Sequence, residues 1–392
     1  MSRGTRIMTY ILVFLLGSSV SGMLMAHLVK RSPEGADTRK LSQIQTLLEE
    51  RFVEEVDPVK LQDAAAGAMV DAAGDRWSHY ISAVDYVSYL ERASNSYVGI
   101  GITIQLQEDT GTLEIIEVVE GGPAKQAGVQ VHDLLLQVEG QQCAELGLDG
   151  TKALVRGEEG TEVHVTVQRD GKELEYTIPR MHFETPVATG TMLDSGYGLI
   201  TIENFEGRCA EETIAAIDSM IAQNAKGLIF DVRFNPGGYK KEMVKVLDYL
   251  LPEGPLFRSQ GSDGSEDVDY SDASCIELPM AVLVNGDSYS AAEFFAAALQ
   301  EYGAGTVAGQ QTCGKGYYQN TFQLEDGSAV LISTGKYFTP KGVSLAGVGI
   351  TPDVPVEVDE ETYAAIYYND LEPEEDPQLQ AAIQALISAE QP

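Results

Sequence analysis

The residues whose side chains are best suited to catalysis are a serine and a lysine in one segment, Pro279 to Gln319. The segment begins as an apolar run, breaks at Asn285 to Asp287, and then has apolar residues every three to four positions. This pattern predicts a strand, a turn and a helix, with Ser290 where the turn ends. A hydroxyl at a helix start lies near free backbone N–H groups that can stabilise an oxyanion. Ser290 with Glu293 also matches a capping box, so a structural role is the alternative.

A catalytic serine in this segment would need a base other than histidine, because every histidine of the chain precedes Phe183. Lysine can act as the base when burial or a local field lowers its pKa. The candidate is Lys315, because its neighbours Gly314 and Gly316 let the backbone fold tightly against a site. The amide of Gln319 follows and can orient an amine. The alternative for Lys315 is an exposed lysine in a turn.

These segments resemble the C-terminal processing peptidases, also called tail-specific proteases. The family motifs SASASE, FGKGxVQ and DLRNNPGG correspond here to SYSAAE, CGKGYYQ and DVRFNPGG. The segment from Leu331 to Val356 is similar to the family's closing signature. The departures from the family motifs, which remove no catalytic functional group, are at Tyr289, Ala292, Cys313 and Phe234.

The resemblance implies roles for particular residues of this sequence. By resemblance, the nucleophile is Ser290, the base is Lys315, and the amide that keeps the lysine aligned is Gln319. The oxyanion hole would be formed by the backbone N–H of Ala291 and that of either Gly237 or Gly238. The alternative for the glycine pair is a left-handed turn before a helix, which is compatible with the catalytic role.

The family consists of Ser-Lys endopeptidases with an inserted PDZ domain. The resemblance therefore implies an α/β (α+β) layered protease core of the ClpP/crotonase-like type with a PDZ β-sandwich or barrel inserted in it. The implied activity is cleavage of protein substrates whose C-terminal ends the PDZ domain recognises. One alternative is a non-catalytic PDZ-based peptide-binding scaffold. Another is an acyl-thioester enzyme of the crotonase type, in which a PDZ domain and a membrane segment would have no role.

The pattern from Tyr97 to Arg180 is that of a PDZ domain, with alternating strands, a Pro123 to Gly128 helical turn and a hairpin closed at Asp170 and Gly171. Successive unpaired N–H groups near its start can hold the carboxylate of a peptide that adds as a strand. The candidate peptide-binding residues are Val98, Gly99, Ile100, Gly101 and Ile102. The alternative is that the two glycines only make a turn.

The predicted domain order is a membrane anchor (1–31), a helical region (38–96), the PDZ domain (97–180), a peptidase core (181–358) and an acidic tail (359–392). In the core, the residues after Pro186 predict a strand, an amphipathic helix and the buried strand GLIFDVR. The acidic, small-residue segment from Ser259 to Ser274 predicts a surface loop.

The stretch from Ile7 to Val29 has no charged residue and is long enough to cross a bilayer as a helix. It is either an anchor or a signal peptide, and the absence of a clean cleavage site favours an anchor. Basic residues on both sides leave its orientation open. The resemblance implies a single-pass protein of the cytoplasmic membrane with its catalytic part outside the cytoplasm.

The formal net charge of −34 argues against nucleic-acid partners. The four cysteines lack metal-ligand spacing, and the sequence predicts neither a metal nor another cofactor. In the tail, apolar residues at Leu379, Ile383, Leu386 and Ile387 predict one apolar helix face. That face would pack on its own domain or on a partner subunit, and the resemblance favours a homodimer.

Overall fold

The structure is a computed structural model that describes residues 34–107 and 110–389. It divides into two compact units, the described part of Met1–Ala83 with Thr321–Ile332, and the described part of Val84–Asn320 with Ser333–Pro392. The predicted membrane segment, Ile7 to Val29, lies outside the described residues. No helix in the described part of the chain combines the length and the apolar character that crossing a bilayer requires.

The first unit contains helices α1 (Glu34–Arg51) and α2 (Pro58–Asp71) and strand β1 (His79–Ile81). Asp57 begins α2, since its side chain accepts hydrogen bonds from the N–H groups of Val59 and Lys60, and Pro58 occupies the first turn. Strand β1 pairs antiparallel with residues 329–331. The helical character predicted for this region is therefore present.

The segment predicted to be a PDZ domain lies in the second unit, after helix α3 (Ala83–Ser94). Its elements are β2 (Ser96–Gly99), β3 (Ile102–Gln107), β4 (Thr112–Val118), α4 (Pro123–Ala127), β5 (Leu134–Val138), β6 (Gln141–Gln142), α5 (Cys143–Val155), β7 (Glu162–Arg169), β8 (Lys172–Pro179) and β9 (Met181–Glu184). The main sheet has the order β3-β4-β5-β7-β8, with β6 paired to β5. Strands β2 and β9 pair with each other and form a two-stranded stem.

The remaining elements form the predicted peptidase core and lie in the second unit, except for the parts of two strands that fall within Thr321–Ile332. They are β10 (Ala188–Met192), β11 (Gly198–Ile202), α6 (Cys209–Ala222), β12 (Leu228–Asp231), α7 (Lys240–Leu250), β13 (Gly254–Gly261), β14 (Glu266–Ser271), β15 (Met280–Val284), α8 (Ala291–Tyr302), β16 (Gly305–Gly309), β17 (Tyr317–Gln323), β18 (Ala329–Phe338), β19 (Val354–Pro355), α9 (Glu360–Tyr367) and α10 (Pro377–Ala389). The central sheet has the order β10-β11-β12-β15-β16-β19 and is parallel except at β10.

Both faces of the central sheet are covered, which is why its inner strands β12 and β15 are mostly apolar. Phe230 in β12 packs in one cluster with residues of α6, α7 and α8, whereas its neighbour Ile229 packs in a second cluster with residues of α10. The predicted layered α/β core is therefore present. Its assignment to the ClpP/crotonase-like type stays a prediction.

The C-terminal helix α10 packs on its own domain. Leu379, Ile383 and Leu386 are buried against strand residues such as Ala281 and Leu283. The sequence left open whether this apolar face packs on its own domain or on a partner subunit, and the structure shows it packed on its own domain. The predicted homodimer is untested.

The segment from Ser259 to Ser274, predicted as a surface loop, is mostly sheet. Strands β13 and β14 form an antiparallel hairpin, and residues 335–338 of β18 pair with the other edge of β13. The prediction was wrong because the acidic composition of the segment is untypical of a strand. Pairing with β18, which is distant in sequence, stabilises the hairpin.

Candidate active site

Ser290 lies in the tight turn between strand β15 and helix α8, as predicted. It is 7% exposed and has backbone angles of φ 59° and ψ −125°. A positive φ is strained for a residue with a side chain, and such strain concentrates at functional sites. A serine in a strained strand-to-helix turn is the arrangement of many nucleophiles, because the turn brings the residue to the edge of the sheet at a helix start.

The turn that carries Ser290 is tied to the loop after β12. Ser288 Oγ donates to the carbonyl oxygen of Val232 at 2.6 Å, and the Tyr289 N–H donates to the carbonyl oxygen of Asn235 at 3.2 Å. In return, the Phe234 N–H donates to Asn285 Oδ1 at 3.0 Å. These contacts hold the turn of Ser290, the candidate nucleophile turn, and the glycine-rich loop in one framework.

Gly237 of the glycine pair lies against Ser290, the candidate nucleophile, as expected for an oxyanion hole. A Cβ atom on Gly237 would come within 2.7 Å of Ser290 Cβ and 2.9 Å of the Ala291 nitrogen. The Gly237 N–H is already bonded to Asn235 Oδ1 at 2.8 Å, whereas no described residue accepts a hydrogen bond from the Gly238 N–H. Ala291 is the first residue of α8, so its N–H has no partner within the helix. The candidate donors are therefore Ala291 and Gly238.

Lys315 is half-buried in the loop between β16 and β17. Its glycine neighbours let this loop pack closely against another, because a Cβ on Gly314 would lie 2.9 Å from the Val348 nitrogen and one on Gly316 would lie 2.6 Å from the Ala346 nitrogen. The predicted need for glycine on both sides of the lysine is thus accounted for by close backbone packing.

Glu293 connects the serine turn to the lysine loop. One oxygen, Oε2, accepts hydrogen bonds from the Ser290 N–H at 2.9 Å and the Lys315 N–H at 2.8 Å. The other, Oε1, accepts from Thr312 Oγ1 at 2.6 Å and from the Gly314 N–H at 2.7 Å. The backbones of Ser290 and Lys315 are therefore neighbours, although they are distant in sequence. Burial raises the pKa of the Glu293 carboxyl group, and these hydrogen bonds oppose that shift.

The sequence indicated Glu293 only as the acidic half of a capping box, and its contact with the Ser290 N–H is that half. Its bonds to the lysine loop carry no local sequence signal, because they join positions in different segments. Glu206 was also missed. It lies near enough to Lys315 for the two charges to interact, and no motif marks it.

Gln319 lies on strand β17, where its side-chain amide donates to Ser333 Oγ at 3.0 Å and to the Tyr317 carbonyl oxygen at 3.2 Å. These contacts fix the amide close to the end of the lysine loop. Its alignment of the Lys315 amine stays a prediction.

The predicted peptide-binding residues border a groove beside strand β3, the edge strand of the PDZ sheet. The groove has a volume of about 260 Å³ and extends to Lys152 and Val155 of helix α5. The predicted residues that line it are Gly99, Ile100, Gly101 and Ile102. Val98 instead pairs with His182 in the stem. An open strand edge next to a helix is suited to an added peptide strand.

Comparison with known proteins gives two family matches, peptidase family S41 over residues 196–356 and a PDZ domain over residues 114–169. The carboxy-terminal processing protease CtpA of Bacillus subtilis (strain 168) is 30% identical over 363 residues, which are 91% of this chain and 76% of that protein. A probable CtpA-like serine protease of Staphylococcus aureus (strain N315) is 29% identical over 357 residues, 90% of this chain and 70% of that protein.

Among solved structures, the photosystem II D1 C-terminal processing protease aligns with a TM-score of 0.48 and 25% identity, covering 92% of this chain and 95% of that one. The two family matches and the curated relatives define a serine peptidase that carries a PDZ domain. The chain belongs to peptidase family S41, among the carboxy-terminal processing proteases. The family expected from the sequence motifs is confirmed.

Proposed function

We propose that the chain is an endopeptidase that uses a Ser290-Lys315 dyad and takes up protein substrates by their C-terminal ends through the PDZ groove. The observation that carries the proposal is the Glu293 carboxylate, because one of its oxygens binds the backbone N–H of both dyad residues. The Ala291 N–H next to Ser290, and the N–H of Gly238, which follows the glycine packed against Ser290, supply the second requirement, donors for a developing oxyanion.

In the proposed reaction, the neutral amine of Lys315 takes the proton of Ser290 as Oγ attacks the peptide carbonyl carbon. The N–H groups of Ala291 and Gly238 bind the negative oxygen of the tetrahedral intermediate. The protonated lysine then gives its proton to the leaving amine, which breaks the peptide bond. Water, activated by the same lysine, hydrolyses the acyl-enzyme and frees Ser290. Gln319 keeps the amine aligned throughout.

Two substitutions test the dyad in the full-length protein, with an unfolded protein as substrate. Ser290→Ala and Lys315→Ala should each lower kcat by at least about a thousandfold, because each removes one of two groups that act as a unit. Ser219→Ala and Lys172→Ala, at exposed positions away from the site, are the matched controls and should keep full activity. Undiminished cleavage by either dyad variant would exclude the assignment.

We also propose that residues 7–29 anchor the chain in the cytoplasmic membrane with the peptidase outside. The support is the uncharged stretch itself. Retention of the full-length protein in membranes washed with alkaline carbonate is the expected result, and its release into the wash would refute the anchor.

A further inference from the structure

Glu206, an acidic residue that the proposed mechanism does not use, borders the candidate site. It lies in the loop between β11 and α6, and a Cβ atom on Gly238 would come within 2.7 Å of its backbone nitrogen. Gly237, the neighbouring glycine, is packed in the same way against Ser290. The loop that carries Glu206 therefore touches the same glycine pair as the nucleophile turn.

Within the described part of the chain, the Glu206 carboxyl group lacks a hydrogen bond that would offset the burial of one of its oxygens. Its Oε2 atom is buried and accepts no hydrogen bond from any described residue. Such a group is costly to keep charged. Burial raises the pKa of Glu206 to about 7, and the charge of Lys315 acts in the opposite direction. The Glu206 carboxyl group therefore changes its charge near neutral pH, and it interacts electrostatically with Lys315, the candidate base.

Other titratable and charged groups face Glu206 from the neighbouring elements. Burial, and after it the charge of Glu206, raises the pKa of Tyr239, and burial raises that of the Cys209 thiol to about 12. Glu206 also lines a cavity of about 440 Å³. Across this cavity, Arg156 is paired with Glu91 at 2.5 Å. The other titratable residues lining the cavity are Tyr89, Arg92 and Tyr97.

We propose that Glu206 is a positioning residue that sets the charge of Lys315, an inference that rests on the dyad proposed above. While Glu206 is ionised, its negative charge favours the ammonium form of the lysine and restrains catalysis. When Glu206 takes up a proton, this restraint is removed. No bond is made or broken by Glu206, which acts only through its field.

Removal of the negative charge should therefore raise activity in a particular range of pH. In Glu206→Gln the lysine loses an anionic neighbour, so a larger fraction is neutral at a given pH. The gain should be present where Glu206 is ionised in the wild type, above about pH 7, and should fade at lower pH, where the wild-type carboxyl group is itself neutral.

The experiment compares the full-length wild type with Glu206→Gln between pH 5.5 and 9. We expect kcat/KM on an unfolded protein to rise by about three- to tenfold at pH 8 and to be equal in the two proteins near pH 5.5. The rate at which a fluorophosphonate labels Ser290 should change in parallel. This second readout reports the dyad without depending on uptake of a protein substrate.

Two variants control for other effects of the substitution. Glu203→Gln changes a glutamate in the same loop that lines a different cavity, with Asp231 as its charged neighbour, and should leave the pH profile unchanged. Glu206→Asp keeps the negative charge and should restore a profile close to that of the wild type. A merely structural role of Glu206 would lower activity at every pH.

The inference is overturned if Glu206→Gln is folded but its activity ratio to wild type does not vary with pH, or falls below one at pH 8. If Ser290→Ala and Lys315→Ala abolish cleavage in the same assay, that result rejects the role of Glu206 alone. If those two variants stay active, the dyad itself fails, and the inference fails with it.

Discussion

At the scale of single residues, the site is built from positions where the backbone takes conformations that are costly for most side chains. Ser290 has φ 59°, and Gly237 has φ 89° with no room for a side chain. The strain at Ser290 is maintained by the hydrogen bonds of the turn, since the surrounding structure must over-determine such a residue. Gly237 lets the loop after β12 approach this turn.

The first residue-scale prediction concerns Gly237→Ala. A methyl group there would collide with Ser290 Cβ at 2.7 Å and with the Ala291 nitrogen at 2.9 Å. The turn must shift, and we expect kcat to fall by at least about a hundredfold, the cost of a displaced oxyanion donor. The measurement is kcat on an unfolded protein together with the free energy of unfolding.

The control for this prediction is Gly264→Ala. Gly264 has a similar φ of 83° but open space around it. Both variants should lose roughly 1 kcal/mol of stability from the left-handed backbone. Only the change at Gly237 should lower kcat, and equal activity of the two variants would contradict the packing argument.

At the scale of elements, the central relationship is that between helix α8 and the lysine loop. The backbone N–H groups of Ser290 and Lys315, the proposed dyad, are both held by Glu293 in the first turn of the helix, and this carboxylate is fully buried. Because helix α8 itself carries the residue that binds the lysine loop, the geometry of the site depends on the helix as well as on the side chains of Ser290 and Lys315.

Glu293→Gln is expected to break this link. The NH2 group of glutamine would replace one carboxylate oxygen, which now accepts two of the four hydrogen bonds. At least two buried donors would then lose their acceptor, and unpaired buried polar groups lower the free energy of unfolding. We predict a loss of about 3 kcal/mol in the free energy of unfolding and a loss of kcat of at least about a hundredfold. Urea unfolding and kinetics on the same sample check both values.

The matched variant for this prediction is Glu301→Gln in the same helix. Glu301 accepts hydrogen bonds from Thr339 Oγ1 at 2.6 Å and from the Lys341 N–H at 2.8 Å, so it also ties α8 to a loop. The Glu301→Gln variant should have a lower free energy of unfolding and an unchanged kcat. Loss of kcat in both variants would mean that general loosening of the helix, and not the dyad link, is responsible.

The elements that the sequence predicted correctly are those whose signals are local. The apolar run before Asn285 became β15, and the three-to-four residue spacing after Ser290 became α8. The hairpin of β13 and β14 was missed because its partner, β18, is far along the chain. The backbones of Ser290 and Lys315 are brought together through Glu293, whose bonds join separate segments and leave no local signal. The contact between the Ser290 hydroxyl and the Lys315 amine stays a prediction.

At the scale of the whole molecule, a PDZ domain with a candidate peptide-binding groove and a peptidase core occur in one chain. We predict that the free carboxylate of a substrate matters. A peptide ending in a carboxylate should be cleaved about tenfold more efficiently than the same peptide ending in a carboxamide, because unpaired N–H groups at the start of β3 bind the negative end. The measurement is kcat/KM for the pair.

Blocking the amino end of the same peptide by acetylation provides the comparison and should have no effect on kcat/KM. Equal cleavage of the carboxylate and carboxamide forms would show that the groove does not read the C-terminus. The dyad would be unaffected by that outcome, because it rests on contacts within the core.

The two-stranded stem has a consequence for engineering. Where the chain leaves the core and returns to it, the Thr185 N–H donates to the Asn95 carbonyl oxygen at 2.8 Å, and the guanidinium of Arg208 donates to both Thr185 and Asn95 carbonyls. The two cut ends would therefore already be adjacent if everything between them were excised. A short glycine bridge could close the gap, or a foreign recognition module could be spliced in, giving chimeras in which one catalytic body is directed to new targets.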